Sequence, residues 1–153
     1  GFWQLVRRIL IATSWIIAVL LVWQGAENRE QKATTDSRWQ AYSPELVASL
    51  RAEGRPVFIN LTADWCLTCL ANERIALHTQ AVEQAFDELN VATIKGDWTN
   101  TDPKITEHLQ EYGRSGVPLY LWFPANSSEK AIILPHLLTQ DLLINTLTGG
   151  DRR

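Results

Sequence analysis

The sequence predicts an α/β domain with a mixed central sheet and helices on both faces, preceded by one transmembrane helix. Three observations carry this. Short β-branched and aromatic runs (residues 56–61, 91–95 and 117–123) alternate with capped amphipathic stretches, the pattern of strand–helix–strand units. The runs at 117–123 and 130–134 flank a short turn, which adds an antiparallel pair to strands whose earlier crossovers require parallel pairing. Residues 9–22 are apolar apart from Thr13 and Ser14, and Trp23 closes them.

The unbroken apolar stretch is about 15 residues, roughly 22 Å as helix, short of the ~30 Å hydrocarbon layer. With residues 2–8 added and Arg7 and Arg8 snorkelling, it reaches roughly 33 Å. Trp3 and Trp23 then fall where interfacial aromatics belong. A cleaved signal peptide also fits the arginine pair, but Gln24-Gly25-Ala26 is a poor small-x-small cleavage site. A buried core helix would need a partner domain that the remaining chain hardly provides. Residues 1–24 are therefore read as a transmembrane helix, in contact with the lipid bilayer through residues 2–23. Arg7 and Arg8 before the span and Glu27 after it put the N-terminal end in the cytoplasm and the rest outside. Residues 25–37 are polar and aperiodic, a flexible linker. The chain starts at Gly1 without a methionine and reads as a fragment or a processed chain.

Residues 38–149 form the predicted globular domain. A short strand over 38–42 comes first. Ser43-Pro44-Glu45 is a helix start, with an N-cap, a first-turn proline and an acid, and Gly54 ends that helix. Its apolar face is Leu46, Val47 and Leu50. A buried strand at 56–61 leads into a helix beginning at Cys66 and running to 77. Residues 81–89 are helical and 91–95 a strand. Thr101-Asp102-Pro103 starts a further helix that Gly113 ends. The strand pair at 117–123 and 130–134 follows. Thr139 caps a last helix with Leu142, Leu143, Ile144 and Leu147 inward.

Composition sets further limits. Apolar residues make up 46%, enough for a real core, and the net charge of −3 without a basic cluster gives no case for nucleic acid. The only two cysteines are in Ala63-Asp64-Trp65-Cys66-Leu67-Thr68-Cys69. Zinc would need two more ligands, and His78, His108 and His136 are scattered, so no metal site is expected. Two thiols at this spacing can close a small reversible disulfide. The helix start aims free N–H groups at the first sulfur, which favours thiolate, the reactive form. The pair is thus read as a redox centre, with no separate cofactor, and a location outside the cytoplasm permits such chemistry.

Asp64-Trp65-Cys66-Leu67-Thr68-Cys69 at a strand-to-helix junction, with Gly116-Val117-Pro118 opening a later strand, resembles a thioredoxin fold. With Asn72-Glu73, Lys95-Gly96-Asp97-Trp98-Thr99 and Ser115-Gly116-Val117-Pro118-Leu119-Tyr120, residues 38–148 resemble the C-terminal periplasmic domain of DsbD/ScsB-type membrane thiol:disulfide interchange proteins. The resemblance implies a bacterial inner-membrane protein with its catalytic domain in the periplasm. It also implies an upstream membrane domain as electron donor and periplasmic thiol-disulfide proteins as acceptors. A tethered protein for cytochrome c maturation and a Cu(I)-binding metal chaperone using both thiolates are the alternatives.

Cys66 is the expected nucleophile, partly exposed in the first helical turn. Cys69, deeper on the same face, is expected to resolve the mixed disulfide. Trp65 either covers one side of the disulfide and offers a docking surface or is a packing tryptophan. The resemblance implies a cis bond at Pro118, turning the Val117 backbone toward a partner's chain. It also implies that Glu73, one turn after Cys69, exchanges protons with it; otherwise Glu73 is a solvated helix residue. Asn60 stands where many relatives carry a buried Asp, which leaves proton handling to Glu73, Asp64 or water. Leu70 stands where a lysine often follows the motif.

Overall fold

The structure, a computed structural model, describes residues 1–4, 15 and 38–149. The chain divides into two units, Gly1–Arg38 and Trp39–Arg153. In the first, residues 2–4 are helical. Most of the span expected over 1–24, and the whole linker over 25–37, lie outside the described residues. Among the described residues no helix is long and apolar enough to cross a membrane.

The second unit is built on a five-stranded sheet in the order β1-β3-β2-β4-β5. β1 (Gln40–Ala41) and β2 (Val57–Thr62) lie parallel to β3 (Ala92–Asp97), one on each side. β4 (Leu119–Phe123) runs antiparallel to β2, and β5 (Ile132–Ile133) antiparallel to β4. Pairing is parallel where a helix intervenes and antiparallel across the hairpin, as a mixed sheet requires. The helices are α1 (Pro44–Ala52), α2 (Leu67–Asn72, continued by a π-helical stretch, Glu73–Leu77), α3 (Gln80–Glu88), α4 (Pro103–Glu111) and α5 (Gln140–Thr148). Side-chain oxygens of Ser43, Asp102 and Thr139 accept backbone N–H groups at the starts of α1, α4 and α5. Gly149, at φ 77°, ends α5 in the left-handed conformation that glycine adopts freely.

The pleat sorts the core into two layers. Val57, Ile59 and Leu61 of β2, with Leu119, Leu121 and Phe123 of β4, pack on Val47 and Leu50 of α1 and Ile105 and Leu109 of α4. Phe58, Tyr120 and Trp122 point the other way, onto Leu77, Phe86, Leu143 and Leu147 from the remaining helices. Asn60, 1% exposed, shares the Phe58 side of β2 by this alternation, a polar residue on a buried face.

The first strand, expected over 38–42, is only Gln40–Ala41, the strand expected over 91–95 runs Ala92–Asp97, and three further boundaries differ from the sequence reading. The helix after Cys66 is not one regular α-helix to residue 77. After Asn72 it widens to π geometry, closed by His78 N–H donating to Glu73 C=O at 2.8 Å. The strand expected from 117 starts at Leu119, because Pro118 has no N–H for the ladder. The last strand is two residues rather than five, ending near Pro135, with Leu134 N–H still reaching Tyr120 C=O at 3.0 Å.

Candidate functional site

β2 ends at Thr62, and a turn closed by Cys66 N–H on Ala63 C=O at 3.0 Å leads into α2. Cys66 is the N-cap of that helix, and its Sγ accepts the Cys69 N–H at 3.2 Å. Cys66 and Cys69 form a disulfide with an S–S distance of 2.08 Å and Cα atoms 5.2 Å apart. Cys69 is fully buried and Cys66 is 6% exposed. Cys66 is therefore more enclosed than the sequence reading has it, because Ala63 and Val117 pack on the sulfur pair. The Val117–Pro118 peptide bond is cis.

The rim is apolar. Trp65 is 56% exposed and Leu67 81%, with Leu70 also exposed. Such exposure sets Trp65 apart from a packing tryptophan. Its indole N–H donates to Thr99 C=O at 3.2 Å, and its ring lies 6.0 Å from that of Trp98. Asp64 is exposed on the turn, and its backbone N–H donates to Thr99 Oγ1 at 2.9 Å. Thr99 in turn donates its hydroxyl and its N–H to Asp97 Oδ1. These two hydrogen bonds, the hydroxyl's the larger, hold the Asp97 carboxyl below the usual carboxylate range.

On the α2 side of the sheet is a polar cluster. Asn60 is paired in register with Lys95 on β3 and Tyr120 on β4. Its Nδ2 donates to Glu73 Oε1 at 3.2 Å, and Lys95 Nζ reaches the same oxygen at 3.1 Å. Glu73 is thus a largely buried, paired carboxylate rather than a solvated one. Asn60 Oδ1 is buried and has no hydrogen-bond partner. Next along α2, Asn72 donates to Tyr120 Oη at 2.9 Å and to His136 C=O at 2.6 Å, and accepts Leu138 N–H at 3.1 Å. Burial pushes the Tyr120 phenol up to about 12, with the Asn72 hydrogen bond opposing and the charge of Glu73 adding, so it stays protonated. Among the described residues no three His, Cys, Asp or Glu side chains converge as metal ligands.

A family model described as thioredoxin-like matches residues 38–125, more than half of the chain. The chain belongs to the thioredoxin-like family. Its curated relatives include the thiol:disulfide interchange protein DsbD of Yersinia pestis (strain Pestoides F), 28% identical over 133 residues. DsbD of Klebsiella pneumoniae is 30% identical over 131 residues. Each match covers 84% of this chain but 22% of the relative. Among solved structures, the reduced C-terminal domain of Neisseria meningitidis DsbD superposes with a TM-score of 0.57 at 22% identity, over 72% of this chain and 98% of that one. A thioredoxin from Thermus thermophilus gives 0.57 at 18% identity, over 74% and 87%. These structures share the thioredoxin-like fold.

Sequence reasoning assigned no role to Asn72, Lys95, Asp97 or Thr99, although all four stand in the motifs that carry the resemblance. One signal for Lys95 was available: it is the charge inside an otherwise uncharged strand run, Val91-Ala92-Thr93-Ile94. The partners of Asn72 are far along the chain, as are Asp64 and Trp65 for Thr99, whose local signal is only the Asp97-Trp98-Thr99 spacing.

Proposed function

We propose that this domain is a protein-disulfide reductase that relays two electrons by dithiol–disulfide exchange at Cys66 and Cys69. One observation carries the reading: the two sulfurs are bonded at the head of α2, with the first accepting a helix N–H and the second buried behind it. In the dithiol form, that N–H stabilises negative charge on Cys66 Sγ. The Cys66 thiolate attacks a partner disulfide, and one partner sulfur leaves as thiolate. Cys69 loses its proton and attacks Cys66 Sγ, the mixed disulfide breaks, and the second partner thiolate leaves. The partner gains two electrons; its two thiolates are protonated by the proton that Cys69 releases and by one from solvent, and the domain returns to its disulfide. Glu73, one turn from Cys69 and held by Lys95 and Asn60, is the carboxylate that takes the Cys69 proton. Trp65, Leu67 and Leu70 offer the partner an apolar surface beside the sulfurs, and the backbone at Val117 and Pro118 pairs with its chain.

The likeness to DsbD supports a donor dithiol in a membrane domain and acceptors in the bacterial periplasm, and the apolar run over residues 9–22 supports residues 1–24 as the anchor. Cys69→Ala in the full chain tests this. It leaves Cys66 unable to be resolved, so a mixed disulfide with the partner accumulates and is identified by mass spectrometry, while Cys66→Ser traps nothing. No adduct on Cys69→Ala, together with alkylation of Cys66 only under denaturing conditions, would overturn the reading.

A further inference from the structure

We propose that Thr99, in the loop after β3, is the positioning residue for the Cys66 turn, with Asp97 setting the direction of its hydroxyl; the inference rests on the oxidoreductase reading above. Four hydrogen bonds converge on Thr99. Two fasten it to Asp97, from its N–H at 2.8 Å and from its hydroxyl. Two fasten the turn to it, from Asp64 N–H to Oγ1 at 2.9 Å and from the Trp65 indole to its C=O at 3.2 Å. Asp64 and Trp65 are the two central residues of the turn that Cys66 N–H closes on Ala63. Holding both leaves Cys66, the next residue, little freedom.

The polarity of this chain is determined by chemistry. A backbone N–H can only donate, so Thr99 Oγ1 accepts from Asp64. Its single proton must then go elsewhere, and an ionised carboxylate can only accept. The order N–H to hydroxyl to carboxylate is therefore the arrangement that satisfies all three groups. The same loop also reaches the segment before Val117. Trp98 donates its N–H to Thr62 C=O at 2.8 Å and its indole N–H to Thr106 Oγ1 at 2.8 Å. A Cβ on Gly116, two residues before Pro118, would meet the Trp98 ring at 3.6 Å. One loop thus braces the Cys66 turn and buttresses the segment before Val117.

Thr99→Val keeps the side-chain volume and removes the hydroxyl; Thr99→Ser keeps the hydroxyl. Both are compared with wild type in the full chain by the rate of the reduced protein with oxidised glutathione and by hydrogen exchange of the Asp64 amide in the disulfide form. Thr99→Val is expected to react about tenfold more slowly and to lose about tenfold in Asp64 protection, the worth of one charge-assisted hydrogen bond. Thr99→Ser restores both to within about twofold, which a loss of packing alone would not produce. Asp97→Asn, at an exposed site, serves if the valine variant does not fold and is expected to lower Asp64 protection as well. A rate and a protection within twofold of wild type in Thr99→Val, or a serine variant as impaired as the valine one, would overturn the inference. A wild-type chain inert toward oxidised glutathione would instead defeat the oxidoreductase reading, while Asp64 protection still judges the brace.

Discussion

Asn72→Ala is the substitution with the most to lose. The side chain is 1% exposed and makes three hydrogen bonds, to Tyr120 Oη, His136 C=O and Leu138 N–H. Each is worth about 0.5–1.5 kcal/mol net, and a buried N–H left without an acceptor costs about 1–3 kcal/mol. Alanine removes all three bonds and orphans the Leu138 N–H, so the loss is about 3–5 kcal/mol. With a urea slope of about 2 kcal/mol per molar for a domain of this size, the midpoint falls by roughly 2 M. Urea unfolding of the full chain followed by far-ultraviolet circular dichroism reads this directly. Hydrogen exchange locates it: the Leu138 amide loses protection ahead of the β2 amides, because the Asn72 side chain is the acceptor of its N–H. A midpoint shift under about 0.5 M, or a Leu138 amide that stays protected, would show that this network holds neither the helix nor the segment.

Two other outcomes are expected. Asn60→Asp puts a carboxyl where an amide now donates to Glu73 at 3.2 Å. Burial and the Glu73 charge raise the folded pKa of the new carboxyl above its unfolded value near 4, with Lys95 offsetting part of the rise, so its stability cost is absent at low pH and grows as pH rises. A rise of about two units corresponds to about 3 kcal/mol lost between pH 4 and pH 8 relative to wild type, read by urea unfolding at each pH; equal differences at the two pH values refute it. For Asp97 the sign is opposite. Its folded pKa is depressed by the Thr99 hydroxyl and N–H, so its contribution is present above the unfolded value near 4 and is lost as pH falls through the depressed folded value. Wild type therefore exceeds Asp97→Asn in stability at pH 6, and the gap closes in strong acid; a gap independent of pH counts against the hydrogen bonds to Thr99.

Much of the fold is legible in local pattern. Ser43, Asp102 and Thr139 announce helix starts because a cap acts on N–H groups two or three residues away. The alternation of Val57, Ile59 and Leu61 with Phe58 and Asn60 assigns two faces to β2 because side chains in a strand alternate with period two. The cysteine pair announces its own chemistry because both sulfurs lie within one helical turn. The enclosure of Cys66 was not legible, since it depends on Val117 arriving from a segment about fifty residues on. Nor was the π-helical stretch after Asn72.

By itself, the sequence determined the order of strands and helices, the caps, the buried faces and the paired thiols, all of them set by neighbours within a few residues. The tertiary structure alone decided that Glu73 would meet Lys95 and Asn60, that Asn72 would reach Tyr120 and Leu138, and that Thr99 would hold the turn before Cys66. These contacts join residues 13 to 66 positions apart, with Lys95 and Thr99 brought in by β3. The contacts of Asn60, Lys95 and Tyr120 exist only in one register of β2 against β3 and β4, since a slip of one residue would put these three side chains on different faces of the sheet.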